Sequence, residues 1–298
     1  MLNNLIKISD CDSNDLETII RSGIEFKAGK NSNILKEKTG VLLFDKPSLR
    51  TKLSFMIGIQ KLGGNAIYFS PEEVGMGVRE PIADVSSVVS KMADIAIVRT
   101  FEQEKIELFE KFSTIPVINA LTDEEHPCQA LADIMTIYEN LGELTNKNIV
   151  YIGDSNNVAK SLGYAVISLG GNFKIASPKG YGFDEKTNQL FSNIRGGKFL
   201  SFNSPEEAVL NADIVYTDVW TSMGQETETK KRIKDFNGFQ ITSNLLDKAN
   251  KEVKFMHDLP AHPGEEIEDG ILYDSRSIVF DQAENRLWAQ TALIDYIL

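Results

Sequence analysis

The sequence predicts an α/β protein of two doubly wound domains with parallel sheets, its C-terminal helix packing back on the first domain. Three observations lead there. Short apolar runs alternate with amphipathic stretches along most of the chain, the pattern of βαβ units whose sheets are covered by helices on both faces. The length of 298 residues corresponds to two domains at roughly 150 residues each. A polar stretch, Leu141-Gly142-Glu143-Leu144-Thr145-Asn146-Lys147, follows a long helical pattern and precedes a fresh apolar run.

Candidate strands are 40–44, 65–69, 94–98, 115–118, 148–152, 172–176, 213–217, 253–256 and 277–280. Helical periodicity covers 14–27, 51–62, 81–92, 103–112, 127–141, 157–169 and 205–211, and a last long helix runs from about Gln282 to Ile297. Asn14 with Glu17 resembles a capping box, followed by Ile19, Ile20 and Ile24 at helical spacing. The predicted domains are 1–145 joined by 282–298, and 146–281.

Composition narrows the function. With 31 Lys+Arg against 43 Asp+Glu, the formal charge is −12, which argues against a nucleic-acid partner because such binding needs a basic surface. It leaves room for a small anionic substrate, since a few arginines make a local positive pocket. Two cysteines, Cys11 and Cys128, build neither a disulfide framework nor a four-Cys zinc site. No apolar run reaches the ~20 residues that cross a bilayer, and the amino terminus lacks a signal-peptide layout. A cytoplasmic protein without a membrane partner is expected.

In doubly wound sheets ligands gather at the carboxyl ends of strands. After strand 40–44 comes Asp45-Lys46-Pro47-Ser48-Leu49-Arg50-Thr51. Ser48 can cap the next helix, and a helix start with an arginine and two hydroxyls suits a phosphate; a plain cap followed by a basic surface turn is the equal alternative. Arg99 directly follows strand 94–98 as the first loop residue, pointing into the crevice or forming a surface ion pair. His126 precedes Pro127 at another strand-to-helix mouth, as a ligand-binding or an exposed histidine, while Cys128 reads as a small packed residue. After strand 148–152, Gly153, Ser155 and Val158 occupy the positions of a dinucleotide fingerprint, so the G-x-G-x-x-G pattern is absent. Asp218 and His257 stand at the ends of strands 213–217 and 253–256, a placement polar residues seldom take without a partner.

Together these motifs resemble the aspartate/ornithine carbamoyltransferase family, on its ornithine side. The Ser-x-Arg-Thr motif stands as Ser48-Leu49-Arg50-Thr51, His-Pro-x-Gln as His126-Pro127-Cys128-Gln129, and the Asp-x-Trp-x-Ser-Met-Gly loop as Asp218 to Gly224. The stretch 281–293, with Arg286, resembles the family's last helix. The likeness runs from residue 44 to 293 in family order. Three positions depart from it: Leu49 replaces a Thr, Asp258 replaces the Cys of His-Cys-Leu-Pro, and Pro263 replaces an Arg or Tyr.

The resemblance implies transfer of the carbamoyl group from carbamoyl phosphate to L-ornithine, giving L-citrulline within arginine metabolism, with no cofactor and no metal. Ser48, Leu49, Arg50, Thr51, Arg99, His126, Gln129 and Arg286 would bind carbamoyl phosphate. Asn157, Asp218, Ser222, Met223, Asp258 and Leu259 would bind ornithine. Arg50, Thr51, Arg99, His126 and Asp258 would carry the chemistry. Putrescine and N-acylated ornithine are alternative acceptors, though the first leaves Asp218 and Ser222 little to bind and the second would clash with Asp218. A catalytically inactive homologue is a further alternative. The resemblance also implies a homotrimer, or a multiple of trimers. Its candidate loop for reaching a neighbour is Glu73 to Glu80, a lid or a plain surface loop.

Overall fold

The computed structural model describes residues 2–298, so Met1, where the predicted first domain begins, lies outside the described residues. The chain divides into two compact units, residues 1–135 with 284–298, and residues 136–283.

In the first unit the order is α1 (Ser13–Lys27), β1 (Thr39–Phe44), α2 (Leu49–Lys61), β2 (Asn65–Phe69), α3 (Pro71–Val74), α4 (Ile82–Val89), β3 (Ile95–Arg99), α5 (Gln103–Phe112), β4 (Val117–Leu121) and α6 (Pro127–Leu141). The sheet order is β2-β1-β3-β4, all parallel. Every residue of β3 is buried, as expected for a central strand covered on both faces. Val41, Leu43, Ala96, Val98, Ile106, Phe109 and Val117 share one core cluster.

The second unit contains β5 (Asn148–Ile152), α7 (Asn157–Ser168), β6 (Asn172–Ala176), α8 (Glu185–Asn193), β7 (Lys198–Phe202), α9 (Pro205–Ala208), β8 (Ile214–Thr217), α10 (Thr229–Asp235), α11 (Ser243–Leu246) and β9 (Lys254–His257). Its sheet order is β7-β6-β5-β8-β9, again all parallel. The final helix, α12 (Val279–Ile297), returns the chain to the first unit. There Tyr296 donates to Asp15 at 2.5 Å and Lys27 donates to Asn285 at 2.9 Å. At the approach of α2 to α12, a Cβ on Gly58 would stand 2.9 Å from the Thr291 hydroxyl, so only glycine fits without displacement.

The structure corrects several expectations. No strand forms over 277–280: Ser277 makes a single bridge to Phe255, and Val279 already begins α12. Phe280 is exposed, so the apolar run is a helix start and not a buried strand. Strand β7 was not anticipated; it is an edge strand with a half-exposed pattern, which weakens the apolar signal. The first helix is capped by Asp12, not Asn14. The Asp15 N–H donates to the Asp12 carboxylate at 2.8 Å, and the Asp12 N–H donates back to Asp15 at 3.1 Å. Two carboxylates at the positive helix end do this better than an amide. Asp12→Ala is expected to destabilise α1 by about 1 kcal/mol and Asn14→Ala by less than about half of that, read from hydrogen-exchange protection of α1.

Candidate active site

Three strand-to-helix junctions of the first unit supply one cluster. Ser48 caps α2: its Oγ accepts the Thr51 N–H at 3.3 Å and its hydroxyl donates to Thr51 Oγ1 at 3.0 Å. Arg50 is half-buried in the first turn, and Leu49 is 71% exposed. Arg99 is the last residue of β3 and is buried, so it is part of the ladder and not the first loop residue. His126 directly precedes α6 and is buried. From α12, the buried Arg286 donates to Gln129 Oε1 at 2.6 Å and to Thr51 Oγ1 at 3.0 Å. Gln129 in turn donates to Asp133 at 2.8 Å. The Gln290 amide is assigned with its oxygen toward the guanidinium, because a nitrogen there would face only donors; so oriented, it accepts from Arg286 Nε and Nη2 at 3.0 Å each. Arg286 therefore locks Thr51 and Gln129 in place.

The electrostatics of this cluster are positive. Burial pushes the His126 pKa well below its ordinary value, and the charges of Arg286, Arg99 and Lys46 push it further down. A neutral imidazole can donate a hydrogen bond without carrying a charge. Lys46 was not anticipated as a site residue. It is 4% exposed, pairs with Asp123 and lies 4.2 Å from the Phe101 ring centroid. Its place two residues after β1 was visible in the sequence, but nothing there distinguished it from a solvated lysine. Cys128 is packed, donating to the Asn119 carbonyl at 3.2 Å, and burial pushes its thiol up to about 12, so it is no nucleophile at neutral pH.

The second unit gathers a cluster of opposite sign. Asp218 follows β8; its Oδ1 accepts the Val219 N–H at 2.7 Å and its Oδ2 accepts from Asn156 Nδ2 at 2.7 Å. Asn156 also caps α7, taking the Val158 and Ala159 N–H groups at 3.1 and 3.0 Å. Asn156, which the sequence reading passed over for its neighbour Asn157, thus positions Asp218. Its signal was that of an N-cap, Asn before an apolar helix. Asn157 is the first residue of α7. Ser222 and the exposed Met223 follow in the loop after Trp220.

At the end of β9, His257 Nδ1 accepts the Leu259 N–H at 2.9 Å. The ring proton then sits on Nε2, which donates to the fully buried Glu266 at 3.2 Å. This tie holds Leu259 in the left-handed region, φ +62°, a conformation costly for a side-chain-bearing residue. Asp258 lies between these fixed points. Burial raises the Tyr151 pKa well above its ordinary value, and Asp218, Asp258 and Asp154 raise it further. Asp218, His257 and Asp258 offer ligand atoms within 4.8 Å of one another. Both ring nitrogens of His257 are already engaged, so what remains is a pair of carboxylates suited to an ammonium group.

Two family models cover the chain: the carbamoyl-phosphate-binding domain of aspartate/ornithine carbamoyltransferases over residues 3–139, and the Asp/Orn-binding domain over residues 145–297. This chain belongs to the aspartate/ornithine carbamoyltransferase family. Relatives include the ornithine carbamoyltransferase of Anoxybacillus flavithermus, 42% identical over 99% of this chain and 96% of that protein. The anabolic ornithine carbamoyltransferase of Pyrococcus furiosus is 41% identical with the same coverage. Among solved structures, the Pyrococcus furiosus ornithine carbamoyltransferase matches with a TM-score of 0.95 at 40% identity, covering 99% of this chain and 97% of that one. The Thermus thermophilus ornithine carbamoyltransferase matches with a TM-score of 0.92 at 36% identity, covering 100% and 99%. Among the described residues no helix is long and apolar enough to cross a membrane.

The depressed His126 has a definite pH signature. Above its ordinary value of about 6.5 neither folded nor unfolded chain is protonated there, and the contribution vanishes. Below it the unfolded chain takes the proton first, so stability falls until the folded value is reached. Thermal unfolding from pH 7.5 to 5 should therefore show a smaller acid-induced drop in His126→Gln than in the wild type. An equal drop in both would contradict the placement of a neutral imidazole among these cations.

Proposed function

We propose that this protein transfers the carbamoyl group of carbamoyl phosphate to the side-chain amine of L-ornithine, giving L-citrulline and phosphate. The observation that carries the reading is the opposite polarity of the two clusters. One concentrates Arg99, Arg286 and Lys46 around a neutral histidine, and the other concentrates Asp218 and Asp258. The first suits a dianionic acyl phosphate, the second a substrate with two amino groups. The domain division we propose follows the same chemistry, with residues 1–145 and 282–298 on the phosphate side and 146–281 on the amino-acid side.

In this reading Ser48, Leu49, Arg50 and Thr51 hold the phosphate through backbone N–H groups and side chains at the start of α2. Thr51, Arg99 and His126 donate to the carbamoyl oxygen, which gains negative charge as the amine attacks. Gln129 Oε1, which accepts from Arg286, keeps a second lone pair for the carbamoyl NH2. Such preorganised donors are worth about 2.7–4 kcal/mol each in comparable sites. The amine nitrogen bonds to the carbamoyl carbon, the carbon–oxygen bond to phosphate breaks with its electron pair, and the amine proton leaves to phosphate or solvent. Asn157 and the backbone at Met223 take the α-carboxylate, Asp218 and Ser222 the α-ammonium, and Asp258 with the Leu259 backbone the side-chain amine. Alignment of the two bound substrates supplies much of the rate.

The further assembly we propose is a homotrimer or a multiple of trimers. Leu49, Leu53 and Ile57 form an exposed apolar stripe along α2, beside Ile67 on the edge strand β2, a surface that a second copy would cover. In the segment 73–80, Val74 and Met76 are buried while Val78 is 88% exposed between them and the Met76–Glu80 bridge. That is an anchored loop with a protruding tip, able to reach a neighbour. A cytoplasmic setting accords with two free, buried thiols, Cys11 and Cys128.

The deciding experiment is a side-by-side carbamoylation assay with ornithine, putrescine, N-acetylornithine and aspartate. Ornithine should exceed each other acceptor in kcat/KM by at least about tenfold, because the others leave a buried carboxylate or donor unpaired; a preference for putrescine or N-acetylornithine would overturn the assignment.

A second expectation concerns pH. An amine of pKa ~10.4 is under about one part in a thousand neutral at pH 7, and an adjacent carboxylate favours its protonated form. The kcat/KM for ornithine should rise by up to about tenfold per unit from pH 7 to 9. Asp258→Asn should raise the ornithine KM by about 10- to 100-fold, the loss of one charge-assisted hydrogen bond. A flat profile would show that Asp258 does not hold a protonated amine.

A further inference from the structure

The turn after β9 carries a second group of ligand atoms, apart from the residues placed on either substrate. His262, Glu265 and Glu266 each offer one nitrogen or oxygen, and these atoms lie within 4.8 Å of one another. The backbone fixes the three residues there. The Glu265 N–H donates to the His262 carbonyl at 2.9 Å, and the Gly264 N–H donates to the Ile267 carbonyl at 2.8 Å. Gly264 takes the left-handed φ of +91° that the turn requires. Exposure grades across the group: His262 is exposed, Glu265 half-buried and Glu266 fully buried.

The two oxygens of Glu266 differ. Oε1 accepts from His257 Nε2 at 3.2 Å and from the His262 N–H. Oε2 is buried and meets no donor among the described residues. Neither Glu265 nor Glu266 pairs with a lysine or an arginine among the described residues; their charged contacts are with the two histidines. A carboxylate oxygen taken out of water without a donor is costly, and a bound cation removes that cost. His262 Nδ1 stands 3.9 Å from Glu265 Oε2. A cation held at about 2.0–2.2 Å from each ligand leaves such atoms roughly 3–4 Å apart, so this spacing needs little adjustment.

We propose that His262, Glu265 and Glu266 form a binding site for a divalent transition-metal cation, with Zn²⁺ the best match and water in the open position. One imidazole nitrogen with two carboxylates is a borderline donor set. It is softer than the all-oxygen cages that select Ca²⁺ or Mg²⁺, and it suits Zn²⁺ without thiolates. The exposed imidazole gives the cation a way in. Once bound, the cation ties the surface end of the turn to the buried carboxylate that holds His257. No step of carbamoyl transfer passes through it.

The test is Zn²⁺ binding to the full chain by equilibrium dialysis, for wild type, His262→Ala, Glu265→Gln and Asp258→Asn. The wild type should bind Zn²⁺ saturably. His262→Ala and Glu265→Gln should each raise the Kd by at least about tenfold, and Asp258→Asn should change it by less than about twofold. Saturating Zn²⁺ should raise the thermal unfolding temperature of the wild type but not of His262→Ala. Without metal, His262→Ala and Glu265→Gln should unfold at the wild-type temperature, since both side chains reach the surface; lost binding is then not lost folding. No saturable binding by the wild type overturns the proposal. So does undiminished binding in either His262→Ala or Glu265→Gln. Binding abolished by Asp258→Asn also overturns it, by placing the cation among Asp218, His257 and Asp258.

Discussion

The burial of Arg286 is the constraint on which the first unit's site depends. A guanidinium taken out of water must find acceptors for its donors, because an unmatched buried charge costs several kcal/mol. Arg286 finds them on two other helices, in Thr51 at the start of α2 and Gln129 at the start of α6, with Gln290 on its own helix. Burial depresses His126, and the same charge, with Arg99 and Lys46, depresses it further and keeps its imidazole neutral. One side chain from the far end of the chain thereby fixes two donors and adds to the neutrality of a third. Gly58, where α2 meets α12 at Thr291, is the packing counterpart of this requirement.

The two clusters solve opposite electrostatic problems. Carbamoyl transfer needs a phosphate leaving group stabilised as negative charge, and an amine recognised by its positive charge but reactive only when neutral. Cations crowded near His126 serve the first need. Carboxylates crowded near Tyr151, whose pKa burial raises and they raise further, would serve the second in the proposed reaction. In the proposed reaction Asp258 would sharpen the conflict on the amine side, orienting the nucleophile while favouring its unreactive form. Glu266, through His257 and the Leu259 N–H, fixes the residues on either side of Asp258.

Much of the site was legible because its residues sit at strand ends and helix starts, where local sequence determines local geometry. Ser48 was readable as a cap, and it is one. The neighbours that act through space were harder. Lys46 reads as a solvated lysine until Asp123 and Phe101 close over it. Asn156 reads as a helix cap, and its second role on Asp218 depends on the packing of β8 beside β5. The run 277–280 is apolar enough for a strand, yet Phe280 stays exposed and the run opens a helix. Periodicity over four residues cannot separate those outcomes. Strand β7 escaped notice for the converse reason, since an edge strand needs no continuous apolar run.

The sequence by itself determined the alternation of strands and helices, the family and the identity of most polar groups at the strand ends. These follow from side-chain periodicity and from backbone groups that each helix start leaves to be satisfied locally. The tertiary structure decided which of those groups share a cluster and in what state of charge. Residues 51, 129 and 286 meet only because parallel crossovers bring distant strand ends to one edge of a sheet and α12 returns to cover them. The bulk charge of −12 described the surface, while desolvation and nearby charge, which act over a few ångströms, made one cluster positive and the other negative.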